Sequence, residues 1–242
     1  MEAYGVALGG FILLGFTLEA ITGFGGTVIA LSLGALLLPI PVLVPILVPL
    51  SLSMGLVLTW RHRGHLDRTL LLRLVLPAML AGTALGYATR SFLDPTLLRQ
   101  IFGALVAWSA TRMLWQQWTQ KAAVRRPLWL TRTITVLAGV THGLFASGGP
   151  LLVYALSGMA LDKARFRVTL IVVWLVLDGV LTMAFWANGQ LHQALVPALA
   201  YLPVVGLGAW LGEYLHHKVS EVLFQCCTSA LLLVTGLLLA FR

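Results

Sequence analysis

The segment Glu19-Ala20-Ile21-Thr22-Gly23-Phe24-Gly25-Gly26-Thr27 interrupts a hydrophobic run with a polar, glycine-rich break. At membrane depth the protein must satisfy its own backbone N–H and C=O groups. Such a break therefore survives only where it is buried or lines a cavity. A second break, His142-Gly143-Leu144-Phe145-Ala146-Ser147-Gly148-Gly149-Pro150, stands at the matching place in the second half. When Gly25-Gly26 is set against Gly148-Gly149, Glu19 falls opposite His142. Two interrupted apolar segments at corresponding positions of two halves point to a transporter binding site.

The surroundings of these breaks are membrane-like. Of 242 residues, 59% are hydrophobic and 10% charged, against roughly 25% charged in soluble domains. Apolar stretches follow one another, each long enough for a hydrocarbon core of about 30 Å. The fold class read from this is an all-α, polytopic membrane protein with no room for an extramembrane catalytic domain. Its net charge of +8 comes from short loops that set topology, so membrane lipid is a partner and nucleic acid is not. Met1-Glu2-Ala3-Tyr4 has neither a basic region nor a cleavage site, so the first segment is expected to be retained. Adjacent Cys226 and Cys227 lie in an apolar stretch and read as packing residues, not as a disulfide or metal site. No cofactor is called for.

Taken in order, the chain predicts helices near 4–21, 25–38 and 41–60, then a basic loop over 61–73. Helices follow at 71–89 and 95–118, the second capped by Asp94-Pro95. A basic linker, 119–131, separates a first repeat (1–118) from a second (132–242), the whole forming one membrane domain. The second repeat reads as an interrupted pair at 132–160, a basic loop at 162–167, and helices at 168–187, 193–214 and 220–241. Ser220-Glu221 repeats the cap of Asp94-Pro95, and Gly82/Gly86 is matched by Gly208/Gly212. Basic loops belong in the cytoplasm and the uncharged loop 188–192 outside. The pair at 132–160 must then be a hairpin. By analogy so is 4–38, and each half becomes a broken-helix hairpin plus three crossings. An odd number of crossings inverts one half relative to the other.

Helix N-termini carry unpaired N–H groups and the positive end of a dipole, which suits anions. The candidate substrate-binding residues are therefore Thr22, Gly23, Gly25, Gly26 and Thr27 in the first break. In the second they are Ser147, Gly148, Gly149 and Pro150. Glu19, His142 and Asp178 are ionisable residues at membrane depth, where such groups are rare and functional by default. They are candidates for coupling or gating, and Glu19 could pair with His142. The bland alternatives are that the glycines only permit close packing and that the ionisable groups only satisfy broken backbone. Glu213 and Arg73 lie near helix ends and read as snorkelling side chains; His216-His217-Lys218 reads as a cytoplasmic charge patch.

Gly23-Phe24-Gly25-Gly26 with Ser147-Gly148-Gly149-Pro150, the chain length and the basic linker together resemble the TauE/SafE family of membrane transporters, the sulfite exporters. The resemblance covers essentially the whole chain. It departs at Thr27, near where the family often has a proline. It implies movement of a small anion such as sulfite, thiosulfate, a sulfonate or an organic anion across the bacterial inner membrane. The expected activity is secondary transport by alternating access, driven by protons or by the anion's own gradient, in a monomer or a homodimer. A passive anion channel is the nearest alternative. An intramembrane hydrolase using Ser147 and His142 is a third, and it would break the repeat because Ser147 falls opposite Phe24.

Overall fold

A computed structural model describes residues 2–62, 68–119, 126–157, 159, 163–216 and 221–241. Among these it is all helix and turn. The first half holds α1 (Glu2–Thr22), α2 (Gly26–Gly34), α3 (Ile40–His62), α4 (Arg68–Leu70), α5 (Leu76–Thr89) and α6 (Pro95–Thr119). A π-turn, Leu71–Val75, joins α4 to α5, and Arg73 is exposed on it. The second half holds α7 (Leu128–Phe145), α8 (Gly149–Leu156), α9 (Lys163–Ala187), α10 (Gln190–His216) and α11 (Glu221–Phe241). Among the described residues five stretches are long and apolar enough to cross a membrane: Tyr4–Thr22, Ile40–Arg61, Arg68–Phe92, Arg165–Ala187 and Gln190–Leu215.

Several boundaries differ from the sequence reading. The second helix ends at Gly34 instead of 38 and gives way to turns. The helix expected from 132 starts at Leu128, directly after Pro127, so the linker is shorter. The loop expected over 188–192 shrinks to a tight turn at Asn188-Gly189, where Gly189 takes φ +74°. Glu213 is not a lone snorkelling side chain, because it pairs with Arg61 at the end of α3. Positions 63–67 of the first basic loop, Lys121 and Arg125 of the linker, Asp162, and His217, Lys218 and Ser220 lie outside the described residues.

Both interrupted pairs are hairpins. With 9 and 8 residues, α2 and α8 rise about 13 and 12 Å, less than half a bilayer core. Helix α2 folds back along α1, so Gly15 lies against Gly26 and Ala30, and Gly34 against Leu8. Helix α8 folds back on α7 in the same way, bringing Gly148 onto Ala138.

The two halves pack reciprocally. α1 lies along α10 and α7 lies along α5. The contacts are backbone-close, as small residues spaced by four allow. Gly82 and Gly86 meet Gly139 and Val140, and Gly143 meets Tyr87. Gly208 and Gly212 meet Thr17. The two third long helices also pair: in α3 and α9, Gly55 faces Leu175 and Leu52 faces Gly179, so they run antiparallel. α6 and α11 likewise cross antiparallel, with Gly103 against Ala240 and Gly236 against Ala107. Cys226 packs there and donates to Gln117 Oε1 at 2.6 Å. Phe16, Phe102, Phe145 and Leu47 are fully buried between these layers.

Candidate functional site

The two breaks use different backbone devices. At the first, Gly23 and Gly25 take φ +84° and +97°, a region that L side chains avoid. Thr22 Oγ1 lies 2.9 Å from Leu18 O and 2.7 Å from Phe24 O, which ties off the end of α1. At the second, the left-handed step falls on Ala146, at φ +52°. Its N–H donates to His142 O at 2.6 Å. Gly148 is in the ordinary right-handed region, at φ −75°. It must be glycine for another reason: a Cβ there would run into the Ala138 carbonyl oxygen and sit 3.0 Å from His142 Cβ. Gly148 therefore permits close packing and does not itself break the helix.

Both breaks open on one small cavity. Glu19, Gly25 and Thr27 come from the first hairpin, and His142, Ser147, Gly148 and Gly149 from the second. α9 contributes Asp178. Eight of the residues singled out from sequence thus converge. Gly26 lies beside the cavity, where its N–H donates to the Glu19 carboxylate. Thr22, Gly23 and Pro150 are not on its wall: Thr22 closes a helix end, Gly23 abuts Arg167, and Pro150 starts α8. The cavity volume is about 20 Å³, room for about one water. It faces the middle of both crossing helices, because Ser51 is the midpoint of α3 and Trp174 is one residue from that of α9.

Asp178 organises the polar groups. Its Oδ2 accepts from Ser51 Oγ at 2.7 Å, and its Oδ1 lies 3.3 Å from His142 Nε2. The His142 ring stacks on Trp174, with centroids 5.6 Å apart and planes 23° apart. The expected Glu19–His142 pair does not form; the histidine faces Asp178 instead. Ser147 Oγ, Trp174 Nε1 and His142 Nδ1 are buried with no hydrogen-bond partner. In particular no Ser147–His142 hydrogen bond exists. Among the described residues no three His, Cys, Asp or Glu side chains gather to hold a metal.

Sequence reasoning missed Ser51 and Trp174. A signal was present: they are separated in sequence by the same interval as Gly25 and Gly148, or Glu19 and His142. Trp174 also stands mid-helix, away from the interfacial positions that tryptophan favours.

Comparison with known proteins agrees with this architecture. Residues 7–239 match the family described as Sulfite exporter TauE/SafE. Over 165 residues the chain is 27% identical to a Comamonas testosteroni protein named Probable inner membrane transporter protein TsaS, an alignment covering 67% of this chain and 68% of that one. No solved structure matches. A multi-pass helical protein with paired broken-helix hairpins meeting at a buried polar cavity, matched over nearly its full length, belongs to the TauE/SafE family of membrane transporters.

Proposed function

We propose that this chain is a secondary transporter that moves a small anion across the bacterial inner membrane by alternating access. The anion is sulfite, a sulfonate or a related sulfur-containing or organic anion. The observation that carries this is the convergence of two helix N-termini and two unpartnered donors on one buried cavity: α2 and α8 with Ser147 Oγ and Trp174 Nε1. Unpaired N–H groups at helix starts and buried donors without acceptors both favour a desolvated anion. Glu19 and Asp178 line the same space, and a carboxylate beside an anion is repulsive. Proton movement through Glu19, His142 and Asp178 would relieve that repulsion and couple the anion to the proton gradient.

The antiparallel pairing of α3 with α9 and of α6 with α11, with the reciprocal packing of α1 on α10 and α7 on α5, supports inverted repeats. In that arrangement α1–α10 and α7–α5 move as two rigid units about the fixed cavity. A cavity sized for one water favours a carrier that opens to one side at a time over a passive channel.

The test is thermal stability of the purified protein against sulfite, thiosulfate, sulfate, a sulfonate, acetate and chloride. A ligand at 100 times its Kd stabilises by about 2.7 kcal/mol. Selective stabilisation by a sulfur oxyanion, lost in Gly148→Leu, is the expected result. No shift with any anion would remove the anion reading. Counterflow of labelled anion in proteoliposomes then separates a carrier, which shows it, from a channel, which does not.

A further inference from the structure

A second cavity, of about 730 Å³, opens at one end of the helix bundle. Pro41, near the start of α3, lines it, while Arg61 marks the far end of that helix. Asn188, just past α9, also lines it, while Arg165 and Arg167 mark the opposite end. The cavity is therefore on the face away from those arginines, which the charge rule places outside. Its polar lining is Tyr87, Arg90, Ser91, Asn188, Gln190 and Gln193. Among the described residues Arg90 is the one charged residue on this wall.

Arg90 is only 9% exposed. Its Nη2 makes a long bond to Pro41 O, at 3.3 Å. Its guanidinium carbon lies 5.7 Å from the Phe185 ring centre. Nη1 is buried with no partner. No carboxylate balances it: among the described residues the ion pairs are Arg61–Glu213 and His142–Asp178. Asp94, four residues further on, instead caps the Thr96 N–H at 3.1 Å. A guanidinium taken from water without a counter-charge is costly, and the cost falls when an anion supplies one.

We infer that this vestibule is a second anion site, in which Arg90 provides the counter-charge for a small hydrated oxyanion. The ligand class is that proposed for the central cavity, and to that extent the inference rests on that reading. The two sites are distinct. The Tyr87 ring packs on Phe185 at 5.8 Å and Asn188 Nδ2 donates to Tyr87 Oη at 2.7 Å, which forms a floor. Phe185 lies seven residues, or about 10 Å, along α9 from Asp178. The vestibule is wide enough to hold an oxyanion with its water shell, whereas the central cavity holds about one water. The anion is captured hydrated at Arg90 and loses water only on passing the Tyr87–Phe185 layer.

The test uses Ser91→Cys, at an exposed position on the vestibule wall, with Cys226 and Cys227 replaced by serine. The introduced thiol is labelled with a methanethiosulfonate carrying either a sulfonate or a trimethylammonium group. With Arg90 in place the anionic reagent should outpace the cationic one roughly tenfold or more. Arg90→Gln should bring the ratio near one, and Arg90→Lys should keep most of it. Sulfate should slow the anionic reagent saturably, beyond gluconate at equal ionic strength. A ratio unchanged by Arg90→Gln, or sulfate acting no better than gluconate, overturns the site. If the arginine variants fail to fold, sulfate protection in the Arg90 protein decides alone. Protection must persist in Trp174→Phe, which removes a central-cavity donor; its loss there would assign the anion to the central cavity and overturn a second site. Anion-dependent thermal stabilisation that Arg90→Gln abolishes and Trp174→Phe leaves intact would sink the proposed function and leave the vestibule standing.

Discussion

Gly148 and Gly149 are adjacent and both line the cavity, yet alanine should have opposite effects at the two. At Gly148 the backbone dihedral suits any residue, but the new Cβ would run into the Ala138 carbonyl oxygen and press on His142 Cβ at 3.0 Å. A main-chain oxygen within a helix cannot swing aside, so the penalty belongs near the top of the overpacking range, about 3 kcal/mol. Loss of chain entropy in the unfolded state returns about 0.4–1 kcal/mol, leaving a net destabilisation of roughly 2 kcal/mol. At Gly149 the nearest atoms would be Phe24 Cδ2 at 3.6 Å and Trp174 Cζ2 at 3.7 Å, ordinary contacts. There alanine gains up to about 1 kcal/mol of helix propensity. Thermal unfolding in a single detergent should therefore separate Gly148→Ala and Gly149→Ala by about 5 °C or more, with Gly149→Ala at or above the parent. Equal melting temperatures, or Gly149→Ala the less stable of the two, would refute the assignment of Gly148 to backbone contact.

Four further outcomes follow from the same geometry. Ser51→Ala leaves a buried Asp178 oxygen without its 2.7 Å donor and should lower stability by about 1.5–3 kcal/mol, read by denaturant titration; no loss would show that water replaces the hydroxyl. Trp174→Phe keeps an aromatic ring against His142 but removes the orphaned indole N–H, so anion affinity should fall while thermal stability holds or rises; unchanged affinity would take Trp174 out of the anion site. Asp178→Asn should abolish proton-coupled uptake in proteoliposomes while the protein still inserts and purifies; coupled transport at the parent rate would assign Asp178 a structural role. Glu213→Gln removes an exposed ion pair to Arg61 and should change stability by less than about 1 kcal/mol, so a larger loss would indicate a role in helix docking.

Much of the fold was legible because each cause is local. Long apolar runs give helices, and the glycine pairs mark both breaks. The end of α8 follows from the return of polar residues after 156, whereas α2 stops at Gly34, short of the limit set by Pro39. Seven of the proposed site residues meet because the breaks meet, and Asp178 joins them from α9. The illegible part depends on what faces what. Nothing local distinguishes Ser51 from other small residues of α3, and its role appears only when α3 crosses α9 at Asp178. The same holds for His142, whose partner is set by that crossing and not by the repeat. Ala146 was passed over because sequence marks glycine, not alanine, for a left-handed residue. Its strained φ, worth about 1–2 kcal/mol, is held by the packing of α7 and α8.

The central cavity combines a repeated backbone with unrepeated side chains. Glycines recur at corresponding points, Gly25 with Gly148 and Gly26 with Gly149, and both pairs open a short helix toward the same space. At other equivalent positions the residues differ in chemistry: Glu19 against His142, Phe24 against Ser147, Ser51 against Trp174, and Gly55 against Asp178. Under the proposed alternating access, each half of the division would serve a different requirement. Two states facing opposite sides are close in free energy when the backbone hairpins that exchange between them are alike, because each state then trades one set of helix contacts for its equivalent. A single ligand, by contrast, needs one set of donors and one proton carrier, so a faithful repeat of Asp178 or His142 would place a second charge beside the first in a cavity of about 20 Å³. Substituting the equivalent position therefore tests this division directly. Gly55→Asp would face α9 close to Leu175, one helical turn from the Ser51 that bonds Asp178, and so add a carboxylate beside the cavity. It should damage transport far more than Gly55→Ala, whose added methyl meets Leu175 at 3.4 Å, an ordinary contact. Equal activity of the two variants would show that the cavity tolerates a symmetric charge and that its asymmetry has no functional role.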